Sequence, residues 1–143
     1  MKYIYLIPLL FLLACQKNVN TTPLTPVQKI AVYNGILAES NKALVTGVIQ
    51  LNTSKVLTVS QTSLVLDYSL RVANASKAVA ILQQNQGNWN VIAGQIKIVL
   101  DQVVPSGDIL KTLGATGEQG KVVLSTITSI QSAISSILVE AAK

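Results

Sequence analysis

Cys15 carries the only thiol in the chain, there is no histidine, and acid–base chemistry falls to six carboxylates: Glu39, Asp67, Asp101, Asp108, Glu118 and Glu140. One cysteine rules out a disulfide within the chain, and the lack of histidine removes metal sites of the Cys/His type. Asp101 and Asp108 flank Pro105, so a turn there brings two carboxylates towards each other. An interval of seven across a proline matches no recognised catalytic spacing, and solvated charge at helix ends is the ordinary reading. Asp67 and Arg71 stand four apart and read as a surface pair if that segment is helical. The stretch Gly114-Ala115-Thr116-Gly117-Glu118-Gln119-Gly120 has glycines enough for a phosphate loop. It lacks the Gly-Lys-Ser/Thr ending of such loops and follows no strand, which makes it a connection between helices. The inventory points away from an enzyme, with no catalytic residue, cofactor or metal expected.

A chain of 143 residues is one domain's worth and can bury a single core. Charged residues make up 12% of it, about half of the ~25% usual in soluble domains. Neutral polar residues must therefore wet the surface: from Cys15 onward, 43 of 129 residues are Ser, Thr, Asn or Gln. The formal charge is +5, and the basic residues from Lys17 to Lys143 are scattered, with no two adjacent. Nucleic-acid binding needs clustered cations and stacking aromatics, so no nucleic-acid partner is expected. Weak attraction to an anionic bilayer is a better use of the excess.

The amino terminus explains the cysteine. Met1-Lys2 is a short positive start, 3–13 is a nearly unbroken apolar run, and Leu12-Leu13-Ala14-Cys15 closes it with a small residue before the thiol. This is the three-part layout of a secretory signal. A run of about a dozen residues makes a helix of roughly 18 Å, too short for the ~30 Å of hydrocarbon in a bilayer. Leu12, Leu13, Ala14 and Cys15 resemble the lipobox of bacterial lipoproteins, in which a large aliphatic, a variable and a small residue precede the cysteine. Leu13 departs mildly from the small residue commoner at that place. The resemblance covers residues 1–15 and implies three steps: diacylglycerol transfer to the Cys15 thiol, cleavage after Ala14 by the lipoprotein signal peptidase, and acylation, for instance by palmitate, of the new amino group. The alternative is an ordinary secretory signal cleaved elsewhere, although 16–20 offers no small-residue cleavage site.

Each buried methylene contributes about 0.8 kcal/mol, so one acyl chain holds marginally while two or three anchor stably. Gln16 and Lys17 lack the aspartate that retains such proteins in the inner membrane of enteric bacteria. By that resemblance the expected address is the periplasmic side of the outer membrane, or the cell membrane of a host with only one. The organisation expected is a signal peptide over 1–14, the lipidated cysteine and a polar tether over 15–25, and a helical domain over 26–143. A tether of about ten residues averages ~17 Å and reaches at most ~33 Å.

The domain's period is helical. Thr25 caps a helix over about 26–51 with Pro26 at its first position, and Ile30, Leu37, Leu44 and Leu51 recur at sevens with Val27 and Val48 beside them. Asn52-Thr53-Ser54 breaks it, with Ser54 or Thr53 available to cap the next element. Over 55–84, Leu64, Leu66, Tyr68, Leu70 and Val72 alternate as in a strand. The same residues fit a helix with Val59, Leu66, Leu70, Ala73 and Ala80 on one side, and the alanine-rich run after Val72 favours that reading, leaving 56–72 ambiguous. Asn88 caps a third helix, Trp89 to Val104, presenting Ile92, Ile96, Val99 and Val103; Trp89 reads as a core or rim anchor, or as the mark of a contact surface. A helical turn near 108–113 precedes a last helix over about 119–142. There Val123, Ile127, Ile130, Ile134, Ile137 and Ala141 share one face, with Ser125, Ser129, Ser132 and Ser136 opposite.

The expected fold is all-α, a small up-and-down bundle of about four helices. The expected function is that of a non-enzymatic envelope lipoprotein acting through contacts with an envelope protein or with itself. A prophage or accessory-element lipoprotein fits that class. The serine stripe is the candidate contact face, because polar uncharged groups cost less to desolvate than charges. The alternative is a membrane-active lipoprotein whose amphipathic helices perturb the bilayer, against which stands the lack of clustered lysines.

Overall fold

The computed structural model describes residues 23–143, in which five helices and no strand are found: α1 (Pro26–Thr53), α2 (Val59–Gln84), α3 (Trp89–Asp101), α4 (Gly107–Gly114) and α5 (Gly117–Ala141). Two of them start on the same device. Thr25 Oγ1 accepts from the Gln28 N–H while Gln28 Oε1 accepts from the Thr25 N–H, and Thr58 and Gln61 repeat this reciprocal cap at the start of α2. The α2 cap is thus Thr58, four or five residues beyond the expected Thr53 or Ser54. The intervening residues close α1 instead: Lys55 turns left-handed at φ 59°, the Val56 and Leu57 N–H groups donate to the Leu51 carbonyl, and Asn52 Nδ2 donates to the Leu57 carbonyl. Leu57 is buried by this turn.

The ambiguous stretch 56–72 is helical from Val59 onward, and the strand-like alternation there has no structural counterpart. The face expected for that helix is corrected. Val59 is 80% exposed, Leu70 60% exposed and Ala73 exposed, while Val65, Val72 and Val79 are buried, spaced by seven with Thr62, Ser69 and Ser76 beside them. Apolar residues lie on every side of α2, so periodicity alone does not single out the side that packs. Val27, expected on the buried side of α1, is also exposed. It lies in the first turn, beside the end of α2, where Gln83 Nε2 donates to its carbonyl.

α3 begins after Asn88, whose side chain accepts from the Asn90 N–H, and ends at Asp101, three residues earlier than expected. Pro105 keeps Val104 out of the helical region, and Val103 is buried from the connecting segment instead. Val99 is half-buried. α4 is a helix of eight residues capped by Ser106.

α1 packs most extensively on α5 and next on α2, α3 touches both α2 and α5, and α4 lies on α5 and α2. α1 and α5 run antiparallel: Lys29 meets Glu140 at one end, and Gly47 lies against Val123 towards the other. Ile30, Leu37, Leu44 and Leu51 are buried together with the expected row of α5, Val123 through Ala141.

The α1–α2 seam is partly polar. Asn34 Nδ2 donates to the Ser76 carbonyl at 3.0 Å, and in the antiparallel register set by that bond Asn41 falls opposite Ser69 and Val48 opposite Thr62. Asn34 Oδ1, Asn41 Oδ1, Thr62 Oγ1 and the Tyr68 hydroxyl are buried without a protein partner. Tyr68 is fully buried, and burial pushes its hydroxyl up to about 12 although the Arg71 charge pulls the other way. An unfolded tyrosine ionises near 10. The native state therefore keeps this contribution below pH 10 and loses it as the pH rises towards 12. Tyr68→Phe is expected to match or exceed the parent in stability at neutral pH by up to about 1 kcal/mol, since it removes an unpaired buried hydroxyl. It is also expected to escape an alkaline loss on the order of 2 kcal/mol between pH 10 and 12. Urea titrations of both proteins at pH 7, 10 and 11.5 measure this difference.

Candidate functional site

Leu12, Leu13, Ala14 and Cys15 lie outside the described residues. The remaining candidates are on α5. Ser125, Ser129 and Ser132 are exposed and Ser136 is half-buried. They do not form an isolated outer stripe: Ser129, Ser132 and Ser136 line one wall of a shallow groove of about 390 Å³ whose other wall is Tyr33 and Ile36 of α1. The isoleucine row draws α5 against α1 and so places Ser129, Ser132 and Ser136, but not Ser125, at the junction of the two helices.

The hydroxyls on this wall are already satisfied in part. Thr128 Oγ1 donates to the Leu124 carbonyl at 3.2 Å and Ser129 Oγ to the Ser125 carbonyl at 3.1 Å, and just beyond the groove Ser125 and Thr126 bond back to Val122 in the same way. A hydroxyl bonded to its own helix gives up little when water leaves, so the Thr128 and Ser129 part of this wall can be covered at small cost.

On its other side α1 borders a second open groove of about 530 Å³, walled by Val27, Ala31, Asn34, Gly35 and Ala38 of α1 with Ser76, Ala80 and Gln83 of α2. No charged side chain lines either groove. Between the grooves Val32 and Ile36 stand out from α1 as exposed aliphatics. The surface that emerges is wider than the serine stripe: a face along α1, flanked by α2 and α5, whose two grooves carry no charged side chain and whose outer row carries Glu39 and Lys42. The sequence held a signal for it in the exposed mid-helix residue Gly35, since a Cβ there would meet nothing within 4 Å. A mid-helix glycine without a packing reason costs about 1 kcal/mol against alanine.

The carboxylates do not assemble into a site. Asp101 is exposed and pairs with Lys97 at 2.7 Å, and Asp108 lies exposed in the first turn of α4, where it favours the helix dipole. Asp67 and Arg71 form no ion pair; Arg71 instead sits 5.8 Å from the centre of the Tyr68 ring. Glu118 pairs with Lys121 within α5. Glu140 was not singled out by sequence. It is buried, its Oε1 lies 2.7 Å from Lys143 Nζ and its Oε2 lies 3.7 Å from Lys29 Nζ. The hydrogen bond from Lys143 holds its carboxyl below the usual range against the opposing effect of burial, with the Lys29 charge adding to the lowering. That cluster fastens the last turn of α5 to the first turn of α1. No group of three or more His, Cys, Asp or Glu able to hold a metal occurs among the described residues. Trp89 is half-buried and packs against the core at the start of α3.

No family model, curated protein or solved structure matches the chain.

Proposed function

We propose that this chain is an envelope lipoprotein, anchored by acyl chains on Cys15 and acting through protein contacts on the periplasmic side of the outer membrane. The observation that carries the anchor is the sequence Leu12-Leu13-Ala14-Cys15 after a short apolar run. With Cys15 as the only cysteine, a lipid on that sulfur gives the thiol a role that neither a disulfide nor a Cys/His site can. The face along α1 with its two uncharged grooves supports the contact half of the reading. An up-and-down arrangement of α1, α2, α3 and α5, with α4 as a short crossing piece, is the bundle topology in keeping with the helix pairs that touch.

Mass spectrometry of the amino-terminal peptide tests the anchor. The expected species begins at Cys15 and carries a diacylglyceryl group and an amide-linked acyl chain. Cys15→Ser is expected to remain unprocessed by the lipoprotein pathway and to lose the acylated species entirely. A bare Cys15 thiol in the mature protein overturns the anchor.

One observation favours a second reading, in which the protein perturbs the bilayer. α5 is the single helix among the described residues long and apolar enough to cross a membrane, with a mean hydropathy of 1.7 over its most apolar window. Its apolar row lies in the core, so insertion would require α5 to leave α1. Dye release from vesicles at micromolar protein distinguishes this reading from the first, which expects intact vesicles.

A further inference from the structure

The outermost residues of α1 form a row that is chemically symmetric about the helix centre. The row steps by four and three from Gln28 to Thr53, and all its members are exposed. At its middle stand Glu39 and Lys42, the only exposed charges on α1; outside them come Gly35 and Thr46, then Val32 and Ile49, which are 51% and 49% exposed. An antiparallel copy of α1 related by a two-fold axis midway between Glu39 and Lys42 places each Glu39 opposite Lys42 of the other copy. It also places small residues opposite small ones and aliphatic opposite aliphatic. A two-fold interface needs a patch of this self-complementary kind.

We propose that this face of α1 is where a second copy of the chain docks, α1 against α1 in antiparallel register. One further observation supports it. Gly35, whose Cβ would meet nothing in the monomer, leaves the room in which a second helix approaches closely. Two opposite charges per face give two symmetric ion pairs across the axis, and these select the antiparallel register.

The inference rests on the contact half of the proposed function and is independent of the anchor. A lipid on Cys15 in a monomeric protein would sink this inference alone, and a bare Cys15 in a dimer would sink the anchor alone. The test is a charge-exchange cycle on the full chain in detergent, read by analytical ultracentrifugation. The parent is expected to dimerise. Glu39→Lys and Lys42→Glu, each of which sets like charges across the axis, are expected to weaken association by about tenfold or more. The double variant is expected to recover the parent value to within about threefold. Gly35→Leu, whose Cβ would meet nothing within 4 Å in the monomer, is expected to stay helical by circular dichroism and to be monomeric. A monomeric parent, single variants that associate as the parent does, or a double variant that fails to recover each overturns the proposal. Capture of a different protein on this face by a monomeric parent does so as well.

Discussion

Gly120→Ala is expected to lower the unfolding free energy by about 3 kcal/mol, among the larger effects of any single methyl addition in the chain. Gly120 is buried three residues into α5, and a Cβ built there overlaps the Leu113 carbonyl and Thr116 Oγ1. Neither neighbour is free to retreat. Leu113 ends the buried side of α4, and Thr116 Oγ1 donates to that same Leu113 carbonyl at 2.6 Å. Gly117, at φ 67°, makes the reversal between the two helices and holds the approach close. The extra methyl must push α4 off α5 or unwind the junction. The comparison variant is Gly94→Ala, in the exposed middle of α3, where a Cβ meets nothing within 4 Å. There the substitution is expected to raise stability by about 0.5–1 kcal/mol through helix propensity. Guanidinium titration of the pair reads both signs, and a Gly120→Ala protein as stable as the parent would mean that α4 does not lie against α5 at this junction.

The elements whose buried side is legible in the sequence are those in which one apolar row keeps its steps from end to end. In α5 the steps of four and three run unbroken from Val123 to Ala141, and every residue of that row is buried while Val122 and Val139 stay outside it. The sevens from Ile30 to Leu51 did the same for α1. α2 defeated the approach because Val59, Leu64, Leu66 and Leu70 compete with Val65, Val72 and Val79 for the inside. The decision was made by a neighbour that a periodicity count cannot see. α1 brings Asn34 and Asn41 to the shared seam, and these admit the side of α2 that carries Thr62, Ser69 and Ser76. The candidate contact surface was half legible for a similar reason. The serines were visible as a row on one helix, but a groove is made by two helices, and its α1 wall becomes apparent only once α1 and α5 are placed side by side. Cys15 differs in kind, since its reading depends on a linear motif and needs no fold.

Leu37→Ala is expected to cost about 2–5 kcal/mol, whereas Leu70→Ala, the same chemical change, is expected to stay within about 0.5 kcal/mol of the parent. Leu37 is fully buried at the centre of α1, within the core shared with α5 and α2, so its truncation leaves a cavity that two flanking helices cannot close without moving. Leu70 has most of its side chain in water, and removing it gives up little burial. The contrast bears on the choice of face for α2, because the face that sequence periodicity favoured places Leu70 inside. A third variant, Val72→Ala, makes the discrimination within α2 itself. Val72 is fully buried two residues further along, and its loss is expected to exceed that of Leu70 even though less of the side chain is removed. Thermal and urea unfolding of the three proteins supply the order directly. If Leu70→Ala proved the more costly of the two α2 variants, α2 would be rotated about its axis relative to the packing described here, and the Asn34 to Ser76 bond that sets its register against α1 would be lost with it.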